Sequence, residues 1–155
     1  MENRIEKLRE YIDGIILNMT NYEERRIAYV HLYGVSQFCT LIALKRKLNV
    51  ELATMAGMLH DFYTYKMMDP IDHGIRGSVL AKETLELLKL TTKEETEIIS
   101  EAIYHHSNKI DKFSDFTEIL IDADVLQHHL YNTMLPIIEK EKVRLEKLKE
   151  EFGLN

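Results

Sequence analysis

Cysteine is almost missing from this chain: Cys39 stands alone among 155 residues. One thiol cannot close an intramolecular disulfide, and it cannot build a zinc–thiolate cluster. Cys39 lies in the apolar stretch Phe38-Cys39-Thr40-Leu41 and reads as a small core residue. Tryptophan is absent, and two prolines with six glycines leave few breaks in the chain. An excess of positive charge is missing as well. Lys and Arg total 20 against 26 Asp and Glu, a formal net charge of −6. That balance excludes a general nucleic-acid binder, which needs a basic face. Long apolar runs are also scarce: none approaches the roughly 20 residues that cross a bilayer. The start, Met1-Glu2-Asn3-Arg4, leads into a charged amphipathic stretch and not into a signal peptide. The expectation is a soluble cytoplasmic protein without a membrane partner.

What is present favours helices. Apolar residues make up 45% of the chain, enough for one packed core, and Met, Leu, Ile, Glu and Lys recur throughout. Residues 3–18 place Ile5, Leu8, Ile12, Ile15 and Ile16 at helical spacing. Asn21 caps a second helix through Tyr29, His31, Val35, Phe38 and Leu44 to about Lys47. Asn49 opens a third, apolar helix that ends at His60-Asp61. Phe62 to Pro70 reads as a loop, and periodicity returns over 71–89. Thr92-Lys93-Glu94-Glu95 fits a capping box for a helix ending near His105-His106. Ser107 to Ser114 is a polar connection, and a further helix spans 116–131. Pro136 suits the first turn of a last, charged helix over 137–151, with Ile138, Val143, Leu145 and Leu148 as its apolar stripe. No strand pattern competes. The reading is all-α: one domain over 1–155, with a core over 22–130 and the two terminal helices packed on it.

Two acids stand where packing alone cannot accommodate them. Asp61 follows His60 at the end of the apolar run Leu52–Leu59, and Asp124 sits inside Leu120-Ile121-Asp122-Ala123-Asp124-Val125-Leu126. Burying even a neutral polar group without a partner costs roughly 2–7 kcal/mol, and a charge costs more. His and Asp together find a natural partner in a metal ion. Seven histidines are available, and five lie at helix interiors or ends near acids: His31, His60, His73, His105 and His106. Helices of a bundle can bring such ligands together. Carboxylates and imidazoles without thiolate favour Fe or Mn, while Ni, Zn and Mg accept related ligands. Asp122 lies two residues from Asp124, so it points elsewhere, to a surface or capping role. His128 is one turn beyond Asp124 on the same side, which makes it a candidate neighbour of the ligands. His129 reads as exposed.

The order His31, His60-Asp61, Asp124 resembles the HD-domain superfamily of metal-dependent phosphohydrolases over about residues 22–130. Val30-His31-Leu32-Tyr33-Gly34-Val35 is similar to its first-ligand helix, and Ala56-Gly57-Met58-Leu59-His60-Asp61 to its signature helix. Asp72-His73-Gly74-Ile75-Arg76-Gly77-Ser78, Ala102-Ile103-Tyr104-His105-His106-Ser107 and Ile121-Asp122-Ala123-Asp124 resemble the remaining ligand segments. The resemblance implies a compact bundle of about six to seven helices. It implies one metal held by His31, His60, Asp61 and Asp124. It further implies a second metal held by His73 and by His105 or His106, with Asp61 as the bridge. In ligand pattern the small dinuclear members, similar to bacterial diadenosine tetraphosphatases, are nearest.

The implied activity is hydrolysis of a phosphoester or phosphoanhydride of a nucleotide or related small phosphate compound by a metal-activated hydroxide. Asp61, Arg76 and Lys66 are the candidate catalytic residues, the two cations as phosphate clamps, with Arg26 a further one. The aromatics Phe62, Tyr63 and Tyr65 are candidates to stack on a base. A homodimer is compatible with this reading. Two departures stand out. Many members carry Lys three residues after the Asp of the doublet, where this chain has Thr64. No Gly-Tyr-Pro follows His105-His106, which removes the specific mark of cyclic-di-GMP phosphodiesterases. The alternative is a metal-stabilised module that binds a nucleotide without hydrolysing it.

Overall fold

The computed structural model describes residues 3–154. Among them are eight α-helices and a single 3-10 turn, and no strand. The helices are α1 Arg4–Ile16, α2 Tyr22–Arg46, α3 Val50–Leu59 and α4 Phe62–Met67, then α5 His73–Leu88, α6 Lys93–His105, α7 Asp115–Tyr131 and α8 Lys142–Phe152. Capping side chains set most of the starts. Asn3, Asn21, Asn49 and Ser114 each accept from a backbone N–H in the first turn. Thr92 and Glu95 close a reciprocal capping box. The ends of α2 and α5 pass through left-handed residues, Lys47 and Lys89. There Leu48 N–H and Leu90 N–H return to the carbonyls of Ala43 and Leu85, at 3.0 and 3.2 Å.

Two segments differ from the sequence reading. Phe62 to Pro70 is not all loop, because Phe62–Met67 forms the short helix α4. Phe62 is 1% exposed and meets Tyr11 edge-on, so tertiary packing supports a helix too short to declare itself by periodicity. Pro136 does not open the last helix. It lies in an irregular stretch between α7 and the 3-10 turn Glu139–Glu141, and α8 starts at Lys142. Within that segment Leu145 and Leu148 are buried, while Ile138 and Val143 remain exposed.

α2 is the central helix, packed on α3 and α7. Contrary to the expectation from its apolar runs, it is also long and apolar enough to cross a membrane, with an 18-residue window of mean hydropathy 1.5. Here 44% of that window is buried within the molecule. Gly57 lets α3 approach α2 closely: a Cβ there would lie 2.5 Å from Ser36 Cα and 2.8 Å from Ser36 N. The same contact is fastened by Ser36 Oγ donating to Thr54 O at 2.9 Å. α8 is held to α7 by ion pairs. Arg144 reaches Glu118 and Asp122 at 2.6 and 3.1 Å, and Arg46 reaches Asp122 and Glu151 at 2.7 and 2.8 Å. Asp122 is therefore a buried structural acid, not a surface one.

Candidate metal centre

Five stretches of chain converge on one point. α2 brings His31, the end of α3 brings His60, and Asp61 stands between α3 and α4. His73 is the first residue of α5, His106 caps the end of α6, and Asp124 lies within α7. Each imidazole is held by its Nδ1. His60 and His106 use one device: at a helix end, the ring turns back to the carbonyl three residues earlier. His60 Nδ1 lies 2.7 Å from Gly57 O, and His106 Nδ1 lies 2.6 Å from Ile103 O. His73 Nδ1 meets Pro70 O at 3.0 Å, and His31 Nδ1 meets Gln127 Oε1 at 2.8 Å. A carbonyl oxygen only accepts, so Nδ1 carries the proton and donates. In the neutral ring that leaves the Nε2 lone pair facing the centre. Such partners orient metal-binding imidazoles generally.

The two carboxylate oxygens of Asp61 divide the histidines into pairs. Oδ2 lies 3.1 Å from His31 Nε2 and 3.4 Å from His60 Nε2. Oδ1 lies 3.1 Å from His106 Nε2 and 3.6 Å from His73 Nε2. Asp124 Oδ1 completes the first pair, 3.5 Å from His31 and 3.8 Å from His60. Ligand atoms from His31, His60 and Asp61, and from Asp61, His73 and His106, fall within 4.8 Å of one another in each group. A third such group joins His31, Asp124 and His128.

Two observations fit this donor set to divalent ions. The Nε2 atoms of His31 and His60 are 3.0 Å apart. With both protons on Nδ1, two lone pairs face each other, which a cation between them relieves. Neighbouring ligands of an octahedral ion with bonds of roughly 2.1 Å lie about 3 Å apart. Asp124 is 5% exposed, and its Oδ1 is buried without a hydrogen-bond partner. A buried carboxylate oxygen in that condition is costly unless a cation is its partner.

Electrostatics set the protonation states. Burial pushes the fully buried His60 imidazole down, towards the neutral form that ligates. Burial also opposes charge on His31, but the Asp61 hydrogen bond and the Asp124 charge together raise it. Burial works to raise both acids and is outweighed. Positive charge on the His60, His106 and His31 rings, when they are protonated at Nε2 as well as Nδ1, holds Asp61 well below the usual carboxylate range. The Lys109 ammonium does the same for Asp124.

His31, His60, Asp61, His73, His106 and Asp124 are thus brought together as the sequence pattern led us to expect. His105 is not. One residue before His106, it turns off to the side of α6 and stacks on Phe113 with ring centroids 4.3 Å apart. Arg76 is turned away too. It is exposed and bound to Tyr63 OH at 3.0 Å and Asp69 at 2.9 Å. Lys66 lies over the rings of Tyr11 and Phe62, at 6.0 and 5.9 Å.

Three residues at the site had little or no signal in the sequence. Lys109, 5% exposed, donates to Asp124 Oδ2 and to His106 O. It hides in the polar connection after α6, and its spacing of three from His106 was the only clue. Gln127 orients His31, from one turn beyond Asp124. Glu141 meets His128 Nδ1 at 3.0 Å, while His128 Nε2 lies 3.4 Å from Asp124 Oδ1 and its ring stacks on His31 at 5.4 Å. His128 is therefore part of the site.

A curated relative, ribonuclease Y from Petrotoga mobilis, is 28% identical over 126 residues. The match takes in 77% of this chain but 22% of the relative, so the chain spans about a fifth of that protein's length. Among solved structures, the crystal structure of a predicted HD superfamily hydrolase from an uncultured Thermotogales bacterium superposes with a TM-score of 0.63 at 19% identity. It covers 98% of this chain and 94% of the other, which shows a shared fold. The model of the HD domain matches residues 28–129, from just before His31 to just beyond His128. That span is the larger part of the chain and contains the whole histidine–aspartate cluster, and the protein belongs to the HD-domain family.

Proposed function

We propose that this protein is a metal-dependent phosphohydrolase with two divalent ions, Fe or Mn, acting on a phosphoester or phosphoanhydride of a nucleotide or related small phosphate compound. The small dinuclear members similar to diadenosine tetraphosphatases are its nearest counterparts in ligand pattern. One observation carries the reading: the two oxygens of Asp61 face two separate histidine pairs. His31, His60, Asp61 and Asp124 would hold one ion, and Asp61, His73 and His106 the other. When bound, such ions supply Lewis-acid charge to phosphoryl oxygens and lower the pKa of water from about 15.7 towards neutrality.

The chain's own residues prepare that chemistry. Gly57 O, Ile103 O, Pro70 O and Gln127 hold the four imidazoles so that every Nε2 faces inward. Lys109 keeps Asp124 ionised and leaves its Oδ1 open. It also brings a lysine ammonium to the cluster, which position 64 does not supply. That weakens the one sequence argument for a module that binds without turnover. The name of the Petrotoga relative adds RNA phosphodiesters to the substrates worth testing.

The test is metal analysis followed by a hydrolysis screen with the metal found, read by chromatography of the products. The panel includes mononucleotides, dinucleoside polyphosphates and short RNA. Near-stoichiometric Fe or Mn and turnover that disappears in Asp61→Ala are expected. Undiminished turnover in Asp61→Ala would refute the reading.

A further inference from the structure

A cleft of about 530 Å3 opens beside the cluster, within the range of small-molecule sites. Its floor carries His31, Asp61 and His128. Its walls are mainly apolar: Ile27 and Val30 from α2, Tyr65 from α4, and Ile137, Ile138 and Leu145 from the far side. The far wall follows residue 129, where the match to the HD domain ends. Family resemblance therefore says nothing about it. Glu141 fixes this wall to the site, since the residue is buried and its carboxylate is bound to His128.

The charge lining is as informative as the shape. Among the described lining residues, Arg26 is the one Arg or Lys, and it is bound to Glu23 at 2.9 Å. Glu141 and Asp61 place negative charge inside. Polyphosphate tails are recognised by several converging Arg or Lys side chains, and this cleft does not converge them. Branched aliphatic walls and a tyrosine suit a flat, uncharged group.

We infer that this cleft is a subsite for a planar ring system carried on a monophosphate ester, with Ile137 and Ile138 of the far wall setting the preference. The inference rests on the hydrolase reading only for the position of the phosphate. A nucleobase and a simple aromatic ring share the required chemistry, and the experiment separates them. The phosphate sits at the metal ligands, and the ring lies between Val30 and Ile137.

The test compares esters with matched primary-alcohol leaving groups, so that leaving-group chemistry cancels. AMP is set against ribose 5-phosphate, and 2-phenylethyl phosphate against ethyl phosphate. Burial of one ring face predicts kcat/KM about 30-fold or more in favour of a ring-bearing ester. ATP is expected to be poorer than AMP. In Ile137→Asp and Ile138→Asp the ring-to-no-ring ratio falls to within about threefold of one, whatever the absolute rate. Ile138 is 45% exposed, so that variant should fold, and circular dichroism checks both.

Saturation-transfer NMR with adenosine and 2-phenylethanol, on metal-free protein, reads the subsite without turnover. Binding of adenosine alone supports a nucleobase site, and binding of 2-phenylethanol alone or of both supports a general ring site. In each case Ile138→Asp should weaken the signal. Ring binding without hydrolysis of these esters or of any compound in the wider panel upholds the subsite and overturns the hydrolase reading. Hydrolysis with a ratio near one, preference for ATP, or no binding of either ring compound overturns the subsite.

Discussion

Replacing Lys109 with Met should reveal how the ammonium and the metal share one task. Lys109 Nζ has two acceptors, Asp124 Oδ2 and His106 O, in a setting where both side chains are under one-tenth exposed. Methionine keeps most of the volume and removes the charge. In metal-free protein, Asp124 then has lost its lysine, and its Oδ1 already lacks a hydrogen-bond partner. Removing one member of a buried ion pair costs about 3–5 kcal/mol. For a domain of this size, each kcal/mol moves Tm by about 2–4 °C, so the loss is roughly 6–20 °C. Bound Mn supplies positive charge to the same carboxylate. The variant should therefore lose no more than about 1 kcal/mol relative to metal-saturated wild type, because the ion takes over the counter-charge and binds the variant more tightly. The assay is urea unfolding of wild type and Lys109→Met, each in EDTA and in excess MnCl2. A metal-free loss below about 1 kcal/mol, or equal losses in the two conditions, would show that Lys109 is not the counter-charge of Asp124.

Four further outcomes follow from the same contacts. Gly57→Ala must push α3 off the α2 backbone at Ser36. It should cost about 1–3 kcal/mol by overpacking and weaken metal binding, because His60 rides on α3; denaturation and metal titration measure the two effects. Gln127→Ala frees the ring of His31, so metal affinity should fall about 10–100-fold by isothermal titration with little change in fold. Arg4 joins α1 to Glu51 and Glu95 at 2.5 and 2.8 Å and lowers both acids. Their contribution is present above the ordinary carboxyl range and lost as pH falls through the lowered values. Screening limits it to about 1 kcal/mol or less per pair. Arg4→Met should remove that pH dependence from urea midpoints between about pH 5 and 3. Cys39 is fully buried, and burial pushes its thiol well up. Ellman's reagent should leave it untouched in native protein and titrate one thiol in guanidinium chloride.

The sequence by itself determined the all-α class, most of the helix starts and the ligand order. Asn21, Asn49 and Thr92 announce helix starts because their side chains can satisfy local backbone donors, and that chemistry does not wait for the fold. Asp61 and Asp124 declared themselves because an acid inside an apolar run is unstable without a partner, wherever the run packs. Tertiary structure decided the rest. The choice between His105 and His106 turns on about 100° of rotation at the end of α6, which adjacent letters in a sequence do not record. Helix α4 exists because Phe62 finds a buried place. Lys109, Gln127 and Glu141 act on residues 15, 96 and 13 positions away. Such pairings follow from how helices dock, and no spacing rule reports them. The far wall of the cleft, at Ile137 and Ile138, gains its meaning only when the chain folds back over α2.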